Sequence, residues 1–465
     1  MLHTTGRPPG PLTRYYALRG IGWVSDQVLL FLVPVFTYRL TGSLAWSSLA
    51  LTAQWAPRLL ALPIGGLLSD RLHDRTFYLL NDALRSMAGC GAAALALAFP
   101  DLAGLAFIGF AVIAGITCEQ VLIAGDKLAA RLVPPGAMSR VQSVLGGIEQ
   151  SSMLAAPALG GGLLLFDTVW VVLTVSALFG VSMLVTLTLP KAPGVPPASR
   201  RAAAGLPAPR AAGRGPAAPA PSEAPARPGA ESAPEGAPEP PLRRLARDVA
   251  AGLRGIVAIP LLAHVVLATM CVNLLLGTVQ GAAPDIVVRG FGGSEDSLGT
   301  VYTAAALVAM AALVVVPRLI RRFGLVAIGS AATLVMGTVF AALSTMTSFP
   351  VFAALVVVFL AANGVFAVFI RTVRIALLPP EDFGRIVSVV FMLNYAPVPL
   401  VGLLLASLGP RVPLGLFIGV LGTLVLGALT VLAVRMRRLA ADTPVFAPGA
   451  DAAGSEDPVP QQMTV

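Results

Sequence analysis

Charge is scarce in this chain. Asp, Glu, Lys and Arg make up 12% of its 465 residues while apolar residues make up 56%, and the mean hydropathy is +0.83. Water-soluble domains carry about a quarter charged residues, so this sequence lacks the ionic surface such a domain needs. Histidine and cysteine are also rare, at three each. Cys90, Cys118 and Cys271 lie far apart inside apolar stretches, with none of the paired spacing that builds a metal site or a disulfide framework. No His-Glu-x-x-His pair or Cys/His cluster is present, which argues against a metal-centred membrane enzyme. The Gly-x-x-x-x-Gly-Lys-Ser/Thr loop is missing too, so ATP hydrolysis by this chain is not expected. We therefore expect no catalytic residue, no metal and no cofactor. The net charge of +9 would suit a nucleic-acid binder only if the basic residues formed one face. They are scattered among loops instead, and no nucleic-acid partner is expected.

What the sequence has is long apolar runs. Twelve stretches of about 18 residues or more are bounded by charges, Pro or Gly. In the first half they cover 16–38, 44–68, 77–99, 102–125, 138–165 and 168–190; in the second half they cover 259–288, 298–317, 325–348, 351–376, 383–408 and 412–434. The first run is longer than the core of a cleavable signal and lacks a small-residue cleavage site, so it reads as a retained span. Between the halves, Lys191 to Pro241 holds 14 prolines in 51 positions and is otherwise mostly Ala, Gly and Arg. Such a segment forms no packed core or regular helix, and reads as a disordered linker. Next, Leu242 to Ile259 interleaves Arg243, Arg244, Arg247 and Arg254 with Leu245, Val249, Leu253 and Ile256. That spacing predicts an amphipathic helix on an anionic membrane surface. The expected organisation is a six-helix unit over 1–190, the linker over 191–241, the amphipathic helix and a second six-helix unit over 242–440, and a disordered tail over 441–465.

Basic residues fix the expected orientation, because Lys and Arg are retained on the cytoplasmic side. With the N-terminus inside, 27 of the 32 fall in inward segments, and only Arg39, Arg289 and Arg411 fall in outward loops. Both termini and the linker are then cytoplasmic, and the membrane is the cytoplasmic one.

The halves repeat. Arg131-Leu-Val-Pro-Pro-Gly-Ala-Met-Ser-Arg140-Val-Gln-Ser143-Val after span four aligns without a gap to Ala376-Leu-Leu-Pro-Pro-Glu-Asp-Phe-Gly-Arg385-Ile-Val-Ser388-Val after span ten, at an offset of 245. Subtracting the linker leaves about 32 residues per span with its loop, which six helices with short connections require. Repeats of this kind place a substrate site between the halves near the bilayer midplane.

Gly65-Gly66-Leu67-Leu68-Ser69-Asp70-Arg71-Leu72-His73-Asp74-Arg75 is similar to the signature between spans two and three of the major facilitator superfamily, with His73 and Asp74 departing from it. Ser25-Asp26, Tyr38-Arg39-Leu40-Thr41-Gly42-Ser43, Asn81-Asp82-Ala83-Leu84-Arg85 and the Pro-Pro loops resemble its enterobactin and macrolide exporter branch. The resemblance covers nearly the whole chain outside the linker and tails. It implies an all-α membrane fold of twelve transmembrane helices in two pseudo-symmetric six-helix bundles, working by alternating access. It also implies a cytoplasmic latch of Gly66, Asp70, Arg71, Arg75 and Asp126, with Asp70 facing the start of span eleven near Asp382 to Arg385. The same residues also suit a solvated tight loop. Pro157, Gly160 and Gly161 on span five are similar to the family's antiporter segment, with Ala156 in place of its first Gly; ordinary small-residue packing is the other reading.

Intramembrane charges are costly in hydrocarbon and so are functional candidates. Measured from the cytoplasmic helix ends, Asp26 lies about 15 Å in, Arg58 about 18 Å, Arg85 about 12 Å, Glu149 about 16 Å and Glu119 about 9 Å. At the repeat offset, Glu149 corresponds to Asn394, Gln150 to Tyr395 and Asp26 to Cys271, so the charges belong to the first half. One reading is that Asp26 or Glu149 exchanges a proton, with Arg58 or Arg85 supplying the opposite charge. The other is static ion pairing between helices. Asn273, Gln280, Asn363, Asn394 and Tyr395 are candidates for a cavity wall or for helix-to-helix hydrogen bonds. His264 lies near the start of span seven and reads as an interfacial histidine. The expected function is proton-coupled export of a small organic molecule, such as a drug, antibiotic or siderophore, by a monomer whose partners are substrate, protons and the bilayer. Import of a nutrient, or a non-transporting sensor or scaffold role, are the alternatives. The 30 Arg to 2 Lys, with abundant Ala, Gly and Pro, fits a high-GC bacterial source.

Overall fold

A chain this apolar must satisfy its backbone internally, and helices do so within each segment. The computed structural model describes residues 10–69, 73–132, 138–190, 241–294, 296–378 and 383–443, and among these every regular element is helical. In chain order they are α1 (Pro11–Thr41), α2 (Leu44–Ser69), α3 (Asp74–Ala98), α4 (Ala103–Leu132), α5 (Met138–Leu163), α6 (Thr168–Leu187), α7 (Pro241–Ala258), α8 (Pro260–Asp285), α9 (Asp296–Phe323), α10 (Leu325–Ala342), α11 (Phe349–Leu377), α12 (Phe383–Tyr395), α13 (Pro397–Leu408) and α14 (Leu414–Ala441). Among the described residues, nine helical stretches are long and apolar enough to cross a membrane. α2, α3 and α5, of 26, 25 and 26 residues, pack among those nine.

All twelve apolar runs read from the sequence fall on helices, with one correction. The run over 383–408 is broken into α12 and α13. Pro397 and Pro399 carry no N–H, so the carbonyls of Leu393 and Tyr395 lose their helical donors and the helix turns at Ala396. Elsewhere local chemistry ends helices as expected. Gly42 takes a left-handed φ of 60° after α1 and donates its N–H to the Tyr38 carbonyl at 2.7 Å. Asp167 caps α6 by accepting from the Val169 N–H at 2.9 Å.

Two six-helix bundles result. In the first, α3 packs on α4 and α6, α2 on α4, and α1 on α5; in the second, α10 packs on α11 and α14, α9 on α11, and α8 on α13. The bundles meet along two seams, α2 against α13 and α5 against α9. These seams exchange under the sequence repeat, since the second span of one half meets the fifth of the other in both. Leu60, Met87, Leu165 and Val257 are 72 to 74% exposed, an outer surface suited to lipid. The end carrying Gly42, Leu164 and Arg289 is called upper below; the end carrying Pro11, Leu187 and Phe323 is called lower.

Helix α7 lies at the lower end against α8 and α12. Gly255 has no room for a side chain beside Ile386, and Ile256 is buried there. Its first residue, Pro241, was expected in the linker; as the first residue of a helix a proline loses nothing, because its missing N–H would have no partner. The linker reading for residues 191–240 and the tail reading for residues 444–465 lie outside the described residues.

Candidate functional site

The charged layer of the first half divides into two groups. In one, Arg85 of α3 is fully buried, with Nη1 3.2 Å from Asp26 of α1 and 3.8 Å from Asp82, which lies one turn earlier on its own helix. Arg85 Nε donates to Thr117 Oγ1 of α4 at 2.7 Å, and the guanidinium lies 4.9 Å from the Phe179 ring of α6. Asp82 is itself fully buried and accepts from Ser182 Oγ of α6 at 2.5 Å. Two carboxylates therefore share the Arg85 guanidinium in a largely buried site, with the buried guanidinium of Arg19 also acting on Asp82. Sequence reasoning missed Asp82 as a member. The i, i+3 spacing to Arg85 was the available signal.

In the second group, Arg58 Nε of α2 donates to Glu119 Oε1 of α4 at 2.5 Å. The Arg58 guanidinium also lies 4.7 Å from the Trp55 ring and 5.8 Å from the Tyr395 ring, so it reaches across to the other bundle. Trp55 and Tyr395 are in ring contact at 4.9 Å, and Tyr395 stacks on Phe391 at 6.1 Å with 11° between planes. Glu149 of α5 pairs with neither Arg58 nor Arg85, the partners expected from depth. It accepts from Arg371 Nη2 of α11 at 3.0 Å, where both side chains are over a third exposed. The correction has a simple cause: α5 turns this face toward the other bundle, and Gly146, one turn away, leaves space for the Arg371 guanidinium.

Above these groups lies a cavity of about 150 Å³ between α1, α5, α8, α9 and α11. Its polar lining includes Gln27, Gln280, Asn363 and Tyr302, and the rest is mainly aliphatic, with Phe31 and Met153. Gln280 and Asn363 were expected there. Asn273, Asn394 and Tyr395 are not part of this wall. Asn273 Nδ2 donates to the Asn394 carbonyl at 2.8 Å, beside the break between α12 and α13, and Tyr395 belongs to the aromatic row. Gln27, next to Asp26, was missed although a glutamine in an apolar span is a plain signal. His264 sits on the first turn of α8, with Nδ1 2.7 Å from the Pro260 carbonyl.

The upper end is closed. Arg289 donates to the Gly42 carbonyl at 2.5 Å and Tyr38 to Asp285 at 3.0 Å, each from one bundle to the other. Gly161 of α5 lies against the backbone of Gly299 of α9, with no room for a Cβ, and Gly160 likewise faces the Phe31 ring. Pro157 lies within α5. At the lower end, Arg75 donates to the carbonyls of Thr186 at 3.1 Å and Leu187 at 2.6 Å, capping α6 within its own bundle. Asp70 and Arg71 lie outside the described residues. Gly66 is within α2 and Asp126 within α4.

The sequence profile of the Major Facilitator Superfamily matches residues 17–398. The chain belongs to this superfamily. No curated protein matches it in sequence. Among solved structures it is similar to a mutant form of the nucleoside transporter NupG, with a TM-score of 0.63 at 12% identity over 92% of this chain and 100% of that one. It is also similar to a D-xylose-proton symporter, with a TM-score of 0.63 at 13% identity over 95% and 98%. A bacterial homologue of the iron transporter ferroportin, solved inward-facing, gives 0.61 at 18% identity over 92% and 98%. At these identities the likeness is one of fold. Membership makes the chain a multi-pass membrane transporter of the major facilitator fold rather than an enzyme.

Proposed function

We propose that this superfamily member is a proton-coupled exporter of a small organic molecule, an antiporter in the cytoplasmic membrane with its lower end in the cytoplasm. The observation that carries the coupling is the Asp26, Arg85 and Asp82 group. Two intramembrane carboxylates that share one directly paired guanidinium can gain or lose a proton as helix movement changes that pairing. Asp26 and Gln27 are adjacent on α1, the first toward the buried arginine and the second on the cavity wall. Displacement of α1 by substrate is therefore felt at the proton site without contact between the two. In the exchange cycle, substrate enters from the lower end and proton release follows. The bundles rock, the substrate leaves at the upper end, and a proton taken up there returns the protein to the upper-closed arrangement described above. The mainly apolar cavity suits a small organic cargo with few polar groups, such as an apolar antibiotic or drug. The Asp70 loop with Asp126 is the latch of the upper-open state, and the Glu149–Arg371 pair, with the contact of Arg58 on Tyr395, ties the lower seam in the present one. Orientation rests on the basic residues gathered at the lower ends.

The test is transport in proteoliposomes under imposed pH gradients, using anionic, neutral and cationic fluorescent organic dyes. Dye accumulation in acid-interior vesicles is expected from molecules inserted with the lower end outward, and its loss in Asp26→Asn and Asp82→Asn. Undiminished gradient-driven transport in both variants would overturn the assignment of the proton site. Accumulation only under the opposite gradient would make the protein an importer. Deleting 195–238 separates transport from a sensor role: dye movement should survive the deletion.

A further inference from the structure

The cavity of about 150 Å³ between the bundles is polar without being charged. Among the described residues no Asp, Glu, Lys, Arg or His lines it, and the nearby carboxylates are engaged elsewhere, Asp26 with Arg85 and Glu149 with Arg371. Its polar groups are the amides of Gln27, Gln280 and Asn363 and the hydroxyl of Tyr302, which come from α1, α8, α11 and α9 respectively. None of these four side chains has a hydrogen-bond partner among the described residues. Other polar residues of α8 do: Asn273 donates to the Asn394 carbonyl at 2.8 Å and Thr278 to the Leu274 carbonyl at 2.8 Å.

A polar side chain within a span normally bonds to a neighbouring helix, so four that converge on one cavity without doing so are left for its contents. Each amide both donates and accepts, and the tyrosine hydroxyl does the same. Such groups match a carbonyl or an N–H, but they do not neutralise an ion, and bringing an ion out of water without a counter-charge is strongly unfavourable. The remaining wall is apolar, with the Phe31 and Tyr302 rings edge to face at 5.0 Å and 62°, a contact that a flat apolar body can extend. A cavity of about this volume holds a single benzene ring.

We infer that the cavity selects an uncharged molecule, with one aromatic ring or a body of like size, that carries a carboxamide or a similar group able both to donate and to accept. Gln27 belongs to the first bundle and the other three polar residues to the second, so the occupant bridges the halves. This names the substrate class of the proposed exporter and rests on that reading for its role in transport, but binding itself requires no gradient. An uncharged cargo leaves the exchanged proton as the one charge that crosses. Each cycle then carries positive charge from the upper side to the lower side, and the membrane potential drives export together with the pH gradient. A monovalent cation exchanged for one proton would instead be electrically silent.

The experiment is equilibrium binding to the purified full chain, comparing benzamide, benzoate and benzamidine, which share a ring and a planar head group and differ in charge at neutral pH. Benzamide should bind about tenfold or more tightly than either ion, because the cavity offers no counter-charge. Gln280→Leu and Asn363→Leu should each weaken benzamide about three- to tenfold, the worth of one neutral hydrogen bond, with thermal unfolding unchanged. Failure of benzamide to bind, or binding of benzoate or benzamidine as tight as that of benzamide, would overturn the uncharged class. Full benzamide affinity in both leucine variants would overturn the role of the amides. In proteoliposomes without a pH gradient, an interior-positive potassium diffusion potential should drive accumulation of the neutral dye by molecules inserted with the lower end outward; neutral-dye transport indifferent to the potential would overturn the charge balance. Transport by a pH gradient confined to charged dyes would keep the exporter and remove this substrate class. Benzamide binding that depends on Gln280 and Asn363, without pH-driven transport of any dye, would keep the site and remove the exporter reading.

Discussion

At the upper end the two bundles approach backbone to backbone beside a few side-chain hydrogen bonds, whereas the contacts described at the lower end are between side chains. Above, Gly161 meets Gly299, and Gly402 leaves no Cβ space beside Ser48 and Thr52. Thr52 Oγ1 donates to the Pro399 carbonyl across the same contact at 3.0 Å. Below, the contacts are long polar and aromatic side chains: Glu149 with Arg371, and Trp55 and Arg58 with Tyr395. Backbone contact is short-ranged and tolerates no added atom, whereas an arginine reaching several ångströms can keep or lose its partner as helices tilt. The upper seam acts as a seal and the lower one as an adjustable set of ties, a division suited to a protein that opens first at its lower end.

The largest break in that comparison comes from Gly161→Ala. Its Cβ would fall inside the Gly299 backbone, so α5 and α9 must separate. Overpacking of this kind costs about 1–3 kcal/mol. Dye transport should fall by about tenfold or more, since a shift of 1.4 kcal/mol is already a factor of ten. A cysteine at Leu298, buried here, should become reactive to a polar maleimide added from the upper side when Cys90, Cys118 and Cys271 are replaced by serine. Unchanged labelling and transport would show that the seam yields freely.

Much of this arrangement was legible before any coordinates, and the exceptions share a cause. Apolar runs, the offset of 245 and the Asp70 loop were enough to expect a two-bundle helical fold, because those signals depend on length and order. Arg85 and Asp26 were selected by depth, and they do pair. Depth fails for partner choice, since Glu149, Arg58 and Arg85 occupy one layer but face different helices. Only helix rotation decides that Glu149 meets Arg371, which lies in the run over 351–376 and near the lower end of α11. Asp82 and Gln27 were visible as polar residues beside others already chosen.

A smaller effect should follow when a lower tie is cut. Glu149→Gln removes the Arg371 ion pair, but both side chains are over a third exposed and water screens the loss. Such pairs contribute about 0–1 kcal/mol, so thermal unfolding should barely move. The balance between lower-open and lower-closed forms should shift by up to about fivefold, the population equivalent of that energy. Labelling of a cysteine at Met153, on the cavity wall, reports it. The difference from the parent should disappear at about 1 M salt, where the screening length is roughly 3 Å. Persistence at high salt would mean that the tie works through packing and not charge.

The smallest effect separates two ties to one acid at the upper rim. Asp285 accepts from Tyr38 at 3.0 Å and faces Arg289 at 3.4 Å, but the Arg289 side chain is 62% exposed whereas Tyr38 is 2% exposed. An exposed ion pair adds little, while a buried hydroxyl bonded to a carboxylate adds about 1.5–3 kcal/mol. Arg289→Gln should therefore change unfolding by no more than about 0.5 kcal/mol, despite removing a formal charge pair and the bond to the Gly42 carbonyl. Tyr38→Phe, which removes a single oxygen, should cost more. If the arginine variant proved the more damaging of the two, the upper rim would be held by charge across its surface, as the lower seam is, and the distinction between seal and tie would not extend beyond the glycine contacts.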